Sequence, residues 1–196
     1  MLANPFRAAT IDVDRFRATL ADLSDKQRVA AVRALSKADM ARLWDACVGA
    51  ETTAEDFVPA HVPVGVEVVH WGQNSLPAFS RFEKRFARAA DVPNVVYGYN
   101  WNGIPTWSTL GPGYFVGHFD GAQQAFGLDY YETPPASAPL PAGWPTIVPN
   151  ERGLQFFIYG KMIDYMRKVG SGVTIGRAWK HGRMTNNYFV LARAGI

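Results

Sequence analysis

The chain has 196 residues and a mass of 21.6 kDa, and its content of 48% hydrophobic and 19% charged residues is too apolar for a disordered protein. No stretch approaches the roughly 20 apolar residues of a membrane-spanning helix, and no signal-like apolar run opens the chain, so we expect a cytoplasmic protein without a membrane span. The net charge is +3, and the single cysteine, Cys47, excludes an internal disulfide.

Residues 1–60 are predicted to form a helical layer. Apolar residues recur there at three- and four-residue steps, which is the period of an amphipathic helix. Ser24 is followed by Gln27, and Ser36 by Asp39. In each pair, the side chain of either residue can accept a hydrogen bond from the backbone amide of the other, which is the capping-box arrangement at the start of a helix.

Residues 61–196 are dominated by short runs of β-branched and aromatic residues separated by Gly, Pro and Asn, which is typical of β-strands. A meander of antiparallel strands of this length normally closes into a barrel, because closure removes exposed edges. The strands predicted after the first one lie at residues 94–101, 113–119, 125–132, 154–160, 172–180 and 186–193. The fold class is therefore α+β, with N-terminal helices packed on a mostly antiparallel barrel in one compact domain.

Two segments interrupt the predicted strands. Residues 75–88 are interpreted as an inserted helix, with Phe79, Phe82 and Phe86 on one face. The opposite, basic face is either solvated or a docking surface for an anionic partner, such as an acidic carrier protein or a lipid head group. This face would carry Arg81, Lys84, Arg85 and Arg88. Residues 133–150 hold six prolines and are expected to form a stiff loop near the barrel mouth.

The segment 89–150 contains eleven aromatic residues and no Lys or Arg. Nucleic-acid-binding proteins combine aromatic residues with cations that neutralise phosphate, so we expect no nucleic-acid partner. Alternation along the strands places aromatic side chains on one face of each of three successive strands, although it does not show which face points inward. These rings either fill the core or line a cavity for a ligand. The predicted ligand-binding residues are Tyr97, Tyr99, Trp101, Tyr114, His118, Tyr130 and Tyr159.

Two titratable residues in this segment are candidates for acid/base chemistry. His118 lies in mid-strand among aromatic residues, where an imidazole could be a haem ligand, a general base or a structural group bonded to the backbone. Asp129 would have a raised pKa if its face pointed inward and would be an ordinary surface carboxylate otherwise. The spacing of the histidines matches no metal-binding motif, so no metal site is predicted. No cofactor is predicted either, except that haem stays an alternative because His118 could ligate its iron.

The C-terminal stretch carries a resemblance to a known family. It contains Asp164-Tyr-Met-Arg167, then Ile175-Gly176, then a closing strand that ends at Arg193. In this it resembles bacterial lipocalin-like domains of the Gly-x-Trp-x-Gly type. That resemblance implies a barrel similar to lipocalins and nitrobindins, which hold hydrophobic ligands or haem, and similar to cyclases that fold a polyene in an apolar cavity.

These observations lead to one main hypothesis of function and two alternatives. The main hypothesis is binding of a small hydrophobic or aromatic ligand in a lipocalin-like barrel. The first alternative is an enzyme, a cyclase, isomerase or lyase of natural-product biosynthesis, that uses the same cavity with acid/base help from Asp129 or His118. The second is a structural protein with a filled barrel.

Overall fold

Eight antiparallel strands form a closed barrel in which each strand pairs with its neighbours in sequence and β1 pairs with β8. The computed structural model describes residues 11–77, 80–90, 92–101, 103 and 111–195. The strands are β1 (Val68–Asn74), β2 (Arg81–Arg88), β3 (Val96–Trp101), β4 (Tyr114–Asp120), β5 (Ala125–Asp129), β6 (Met162–Gly170), β7 (Val173–Lys180) and β8 (Arg183–Arg193). The predicted antiparallel barrel is thus confirmed.

The described helices are short. They are α1 (Val13–Asp22), α2 (Asp25–Arg33), α3 (Lys37–Ala46), α4 (Ala54–Phe57) and α5 (Gln155–Tyr159). Both predicted capping boxes are present: the Ser24 amide donates to Gln27 at 2.9 Å, and the Ser36 amide donates to Asp39 at 2.9 Å. Within the described ranges, no helix is long and apolar enough to cross a bilayer.

The N-terminal helices share one apolar cluster with the outer face of the barrel. Leu20, Val32 and Leu43 are fully buried in this cluster, together with Ile175 and Val190 from β7 and β8. Burial of this apolar surface holds the helices on the sheet. The guanidinium of Arg167 on β6 lies over the ring of Trp44, 3.8 Å from its centroid, and adds a cation–π contact to the cluster.

The helix predicted for residues 75–88 is wrong. Residues 81–88 form β2, which pairs with β1 and β3, while Phe79 lies outside the described residues. Phe82 and Phe86 are four positions apart, and this spacing puts them on one face of a strand as well as of a helix. Pairing with two neighbouring strands decides in favour of the strand.

The strand predicted for residues 154–160 is also wrong. Residues 155–159 form α5, in which the Gly160 amide donates to the Phe156 carbonyl at 2.9 Å. The following strand, β6, contains Asp164 and Arg167 of the C-terminal stretch. These two residues lie three positions apart on a strand, so their side chains point to opposite faces and do not pair with each other.

One end of the barrel, which we call the plugged end, is filled by α4. Phe57 is fully buried and stacks on Phe86 and Phe126, with both pairs of ring centroids 5.0 Å apart. Its carbonyl accepts a hydrogen bond from Nε2 of His70 at 2.9 Å. The space inside the barrel is therefore occupied by aromatic side chains at this end, and any cavity must lie toward the other end.

Candidate ligand-binding site

A cavity of about 470 Å³ opens inside the barrel at the end opposite α4. We call this end the open end. Strand β1 ends there and β2 begins there, and α5 lies beside them. The apolar wall of the cavity is formed by Phe82, Met162, Ala178 and Phe189, and by Tyr159 of α5. The cavity is therefore a mainly apolar space between the open end and the packed core above α4.

Four polar side chains border this cavity and bond to one another. We call Lys84, Asn100, Tyr130 and Asp164 the polar quartet. Lys84 Nζ donates to Asn100 Oδ1 at 2.9 Å and to Asp164 Oδ2 at 3.0 Å, and it also bonds to Tyr130 Oη. Tyr130 Oη donates to Asp164 Oδ2 at 3.1 Å. Asn100 Nδ2 donates to Tyr130 Oη at 3.0 Å and to the Gly113 carbonyl at 3.1 Å.

The quartet assembles because its members occupy inward positions on neighbouring strands. Lys84 on β2 pairs directly with Asn100 on β3, and Tyr130 follows the inward Leu128 by two residues on the β5 side. Asp164 on β6 pairs with Leu128. Four polar groups from four segments thus meet in a single layer across the barrel interior.

Burial dominates the electrostatics of the quartet. The four residues are at most 4% exposed. Loss of hydration lowers the pKa of Lys84, although the nearby carboxylate of Asp164 acts in the opposite direction. Loss of hydration, followed by the charge of Asp164, raises the pKa of Tyr130 well above its ordinary value. Tyr130 therefore keeps its proton at neutral pH and remains a hydrogen-bond donor.

The rim of the cavity is formed in part by α5. Lys180 Nζ donates to the carbonyls of Phe157 and Ile158, in both cases at 3.0 Å, and so ties this helix to β7. Burial lowers the pKa of Lys180. The side chain of Phe157 is 75% exposed beside the opening. An apolar ring thus stands in solvent at the entrance of an apolar cavity.

The prediction that Tyr97, Tyr99, Trp101 and Tyr114 line the barrel interior is wrong. Their strand neighbours Val96, Gly98, Asn100 and Phe115 face inward instead. The four rings lie on the outer face of the barrel.

Residues 133–150 lie over this outer face rather than near the mouth. The Trp144 ring packs against Tyr99 at a centroid distance of 5.1 Å, and its indole N–H donates to Glu67 at 2.7 Å. Tyr114 Oη donates to the Pro145 carbonyl at 2.6 Å. Burial, as the largest cause, raises the pKa of Tyr99 to about 12. The tyrosines therefore bind a segment of their own chain.

His118 and Asp129 also lie on the outer face, away from the cavity. His118 shares this face with Tyr114, and Asp129 pairs with the outward Val116. Burial raises the pKa of Asp129 even there. Neither residue borders the cavity, so His118 cannot hold a haem inside the barrel and Asp129 cannot transfer a proton to a ligand there.

The structure does bring His118 and Asp129 together with Glu132. One potential ligand atom from each of the three residues lies within 4.8 Å of the other two. A nitrogen and two carboxylates could hold a divalent cation, but Glu132 is exposed, and exposed acidic groups often meet without binding an ion. The arrangement is a consequence of strand pairing and carries no functional assignment here.

Tyr130 and Tyr159 are the two predicted ligand-binding residues that border the cavity, and their rings stack at a centroid distance of 5.4 Å. Sequence reasoning missed Lys84, Asn100 and Asp164. A signal for Lys84 was present, because it lies between Phe82 and Phe86 at the alternating positions of one strand face. It was hidden by the helical interpretation of residues 75–88.

The predicted basic face for an anionic partner does not exist in the structure. Lys84 is inside the barrel. Arg85 is paired with Glu67 at 2.8 Å and Glu83 at 2.7 Å, and Arg88 donates to the Val58 carbonyl at 3.0 Å. Only Arg81 is exposed to solvent as predicted. Alternation along a strand separates the four cations that a helix would have placed side by side.

Comparisons with protein-family models, curated proteins and solved structures give no significant match to this chain. Function is therefore inferred from the geometry of the cavity and the quartet.

Proposed function

We propose that the protein binds a small, largely apolar molecule inside its barrel, with one neutral polar group of the ligand at the quartet. The observation that carries this proposal is the position of four buried, mutually bonded polar side chains at the wall of a cavity of about 470 Å³. Small-molecule sites are typically apolar clefts of roughly 300 to 1,000 Å³ with a few polar groups that fix orientation. The cavity has this size and this distribution of polarity.

The charge balance of the quartet favours a neutral ligand group. Lys84 and Asp164 form a buried pair with a separation of 3.0 Å, so the positive charge already has its counterion. A bound carboxylate would add a third buried charge without a partner, which is costly in an apolar interior. A carbonyl or hydroxyl oxygen can instead replace one acceptor of the hydrogen bonds that Tyr130 and Lys84 donate within the quartet, without a change in net charge.

The proposal includes a relationship to lipocalin-like domains of the Gly-x-Trp-x-Gly type. The closed eight-stranded barrel is compatible with that relationship, as is the presence of an internal cavity. The resembling segment, residues 159–193, supplies the Asp164 of the quartet and the cavity residues Ala178 and Phe189. The resemblance and the proposed site thus coincide in one part of the chain.

A fluorescence titration with N-phenyl-1-naphthylamine, a neutral apolar dye, tests the proposal. Ala178 is 8% exposed and borders the cavity, so Ala178→Trp would fill the space that the dye occupies. We expect saturable binding by the wild-type protein and an affinity at least tenfold lower for Ala178→Trp.

Ala136→Trp is the matched control, because Ala136 is exposed on the segment 133–150 and does not border the cavity. This variant is expected to bind the dye like the wild type. No saturable binding by the wild type, or equal affinity of Ala178→Trp, would overturn the proposal.

A further inference from the structure

Lys84 is the only lysine side chain among the described residues that is both fully buried and in contact with the cavity. Its Nζ lies among apolar rings, 5.0 Å from the ring centroid of Phe115 and 5.1 Å from that of Phe189. A primary amine becomes a nucleophile when it loses its proton, and an apolar site favours this neutral form. The cavity therefore presents an amine in the kind of environment that activates lysines toward carbonyl groups.

The quartet also contains the acceptor for the proton that Lys84 must lose. Asp164 Oδ2 lies 3.0 Å from Nζ, so the proton can pass directly from the ammonium to the carboxylate. In the resulting neutral state Asp164 donates to Nζ, and Nζ donates to Asn100 Oδ1 and Tyr130 Oη. The same contacts thus satisfy both protonation states without a solvent molecule.

We propose that the ligand is an apolar aldehyde or ketone and that Lys84 forms a Schiff base with it. This inference rests on the proposed binding function and names its ligand class. The partners of the amine have distinct roles. Asp164 exchanges the proton, Tyr130 donates to the carbonyl oxygen, and Asn100 holds the amine in position.

The step balances without an oxidant or reductant. Nζ forms a bond to the carbonyl carbon, the carbonyl oxygen takes the proton that Asp164 holds, and Asp164 takes one proton from the nitrogen. The hydroxyl of the resulting carbinolamine then takes the proton that Asp164 holds and leaves as water, while the electron pair of the nitrogen closes the C=N bond. The hydrogen that remains on the nitrogen passes to the Asp164 carboxylate, so the products are one water and a neutral imine between Lys84 and the ligand.

Reductive trapping with 3-phenylpropanal and sodium cyanoborohydride tests this inference. Peptide mapping of the wild-type protein at pH 6 is expected to show labelling of Lys84 at least tenfold faster than labelling of any other lysine. Exposed lysines with an ordinary pKa are almost fully protonated at that pH and react slowly. Lys180, which borders the same cavity but donates to two carbonyls, is the internal control.

Two variants complete the experiment. Lys84→Arg removes the nucleophile and is expected to lose the adduct on that peptide, whereas Lys180→Arg is expected to keep labelling at Lys84. Labelling of Lys84 no faster than that of Lys180 in the wild type would overturn the inference, and this result does not require any variant to fold.

Displacement of N-phenyl-1-naphthylamine by 3-phenylpropanal, measured in the same samples, separates the two proposals. Displacement without selective labelling of Lys84 overturns the Schiff base and leaves the binding function standing. Absence of dye binding together with absence of labelling overturns both.

Discussion

Lys84 and Asp164 form an ion pair in the barrel interior, where neither charge reaches solvent. Removal of one member of such a pair leaves the other charge uncompensated, whereas replacement of both with apolar residues is much less costly. Lysine is normally predicted at the surface because its charged form is seldom fully buried. The sequence alone therefore gave little reason to place Lys84 inside the barrel. Its position on the same strand face as Phe82 and Phe86 was nevertheless consistent with that placement.

We expect substitutions of Lys84 and Asp164 to have strongly non-additive effects on stability. Lys84→Met is expected to lower the free energy of unfolding by about 3 to 5 kcal/mol, because Asp164 loses its counterion. The double variant Lys84→Met with Asp164→Leu is expected to recover at least ~1 kcal/mol relative to that single variant. Urea unfolding of the wild type, Lys84→Met, Asp164→Leu and the double variant measures these free energies. Additive losses would show that the two charges do not stabilise each other.

His70 gives a second prediction, on pH dependence. The side chain is fully buried, and loss of hydration lowers its pKa from 6.5 to about 3. The folded protein therefore holds a neutral imidazole at a pH where the unfolded chain binds a proton. Above pH 6.5 protonation of His70 does not reduce the free energy of unfolding. As the pH falls from 6.5 toward 3, that free energy decreases by up to about 1.4 kcal/mol per pH unit, because only the unfolded chain binds the proton.

The measurement is the free energy of unfolding between pH 4 and 7.5 for the wild type and for His70→Gln. Gln keeps an amide donor for the Phe57 carbonyl but does not titrate, so the slope below pH 6.5 is expected to become shallower. His61→Gln, at an exposed position, is expected to leave the slope unchanged. Parallel curves for the wild type and His70→Gln would refute this explanation.

At the scale of elements, strand pairing decides what the local pattern leaves open. The helical character of residues 1–60 was identifiable because the apolar spacing there agrees with the capping pairs at Ser24 and Ser36. Residues 81–88 were not, since a four-residue spacing of Phe side chains fits a helix and a strand equally well. For residues 155–159 the run of aromatic and β-branched side chains favoured a strand. The structure instead places a single helical turn there, beside the cavity.

Close packing between strands also depends on glycine at one inward position of β3. A Cβ on Gly98 would lie 2.4 Å from the ring of the fully buried Phe115 and 2.6 Å from the Arg85 carbonyl oxygen. Gly98→Ala is therefore expected to destabilise the protein by about 1 to 3 kcal/mol through overpacking, as measured by thermal or urea unfolding. Gly121→Ala, where no atom lies within 4 Å of the added Cβ, is the control and is expected to be close to neutral. Equal stability of the two variants would contradict this packing.

At the scale of the whole molecule, the barrel has apolar residues on both faces over much of its circumference. The N-terminal helices cover the outer face around β6 to β8, and residues 133–150 cover the outer face of β3 and β4. For this reason sequence analysis could predict closure of the sheet but could not decide which aromatic residues face inward. The aromatic rings of Tyr97 and Tyr99 resemble the wall of a ligand site in their composition, yet they bind the covering segment.

Intermolecular nuclear Overhauser effects between bound N-phenyl-1-naphthylamine and protein methyl groups test the central claim most directly, because they locate the ligand on one face of the sheet. The account predicts contacts from the dye to the methyls of Met162 and Ala178, which border the interior cavity. Contacts to Ala138 and Leu140 of the segment 133–150, which pack on the outer face, without contacts to the interior pair, would contradict it.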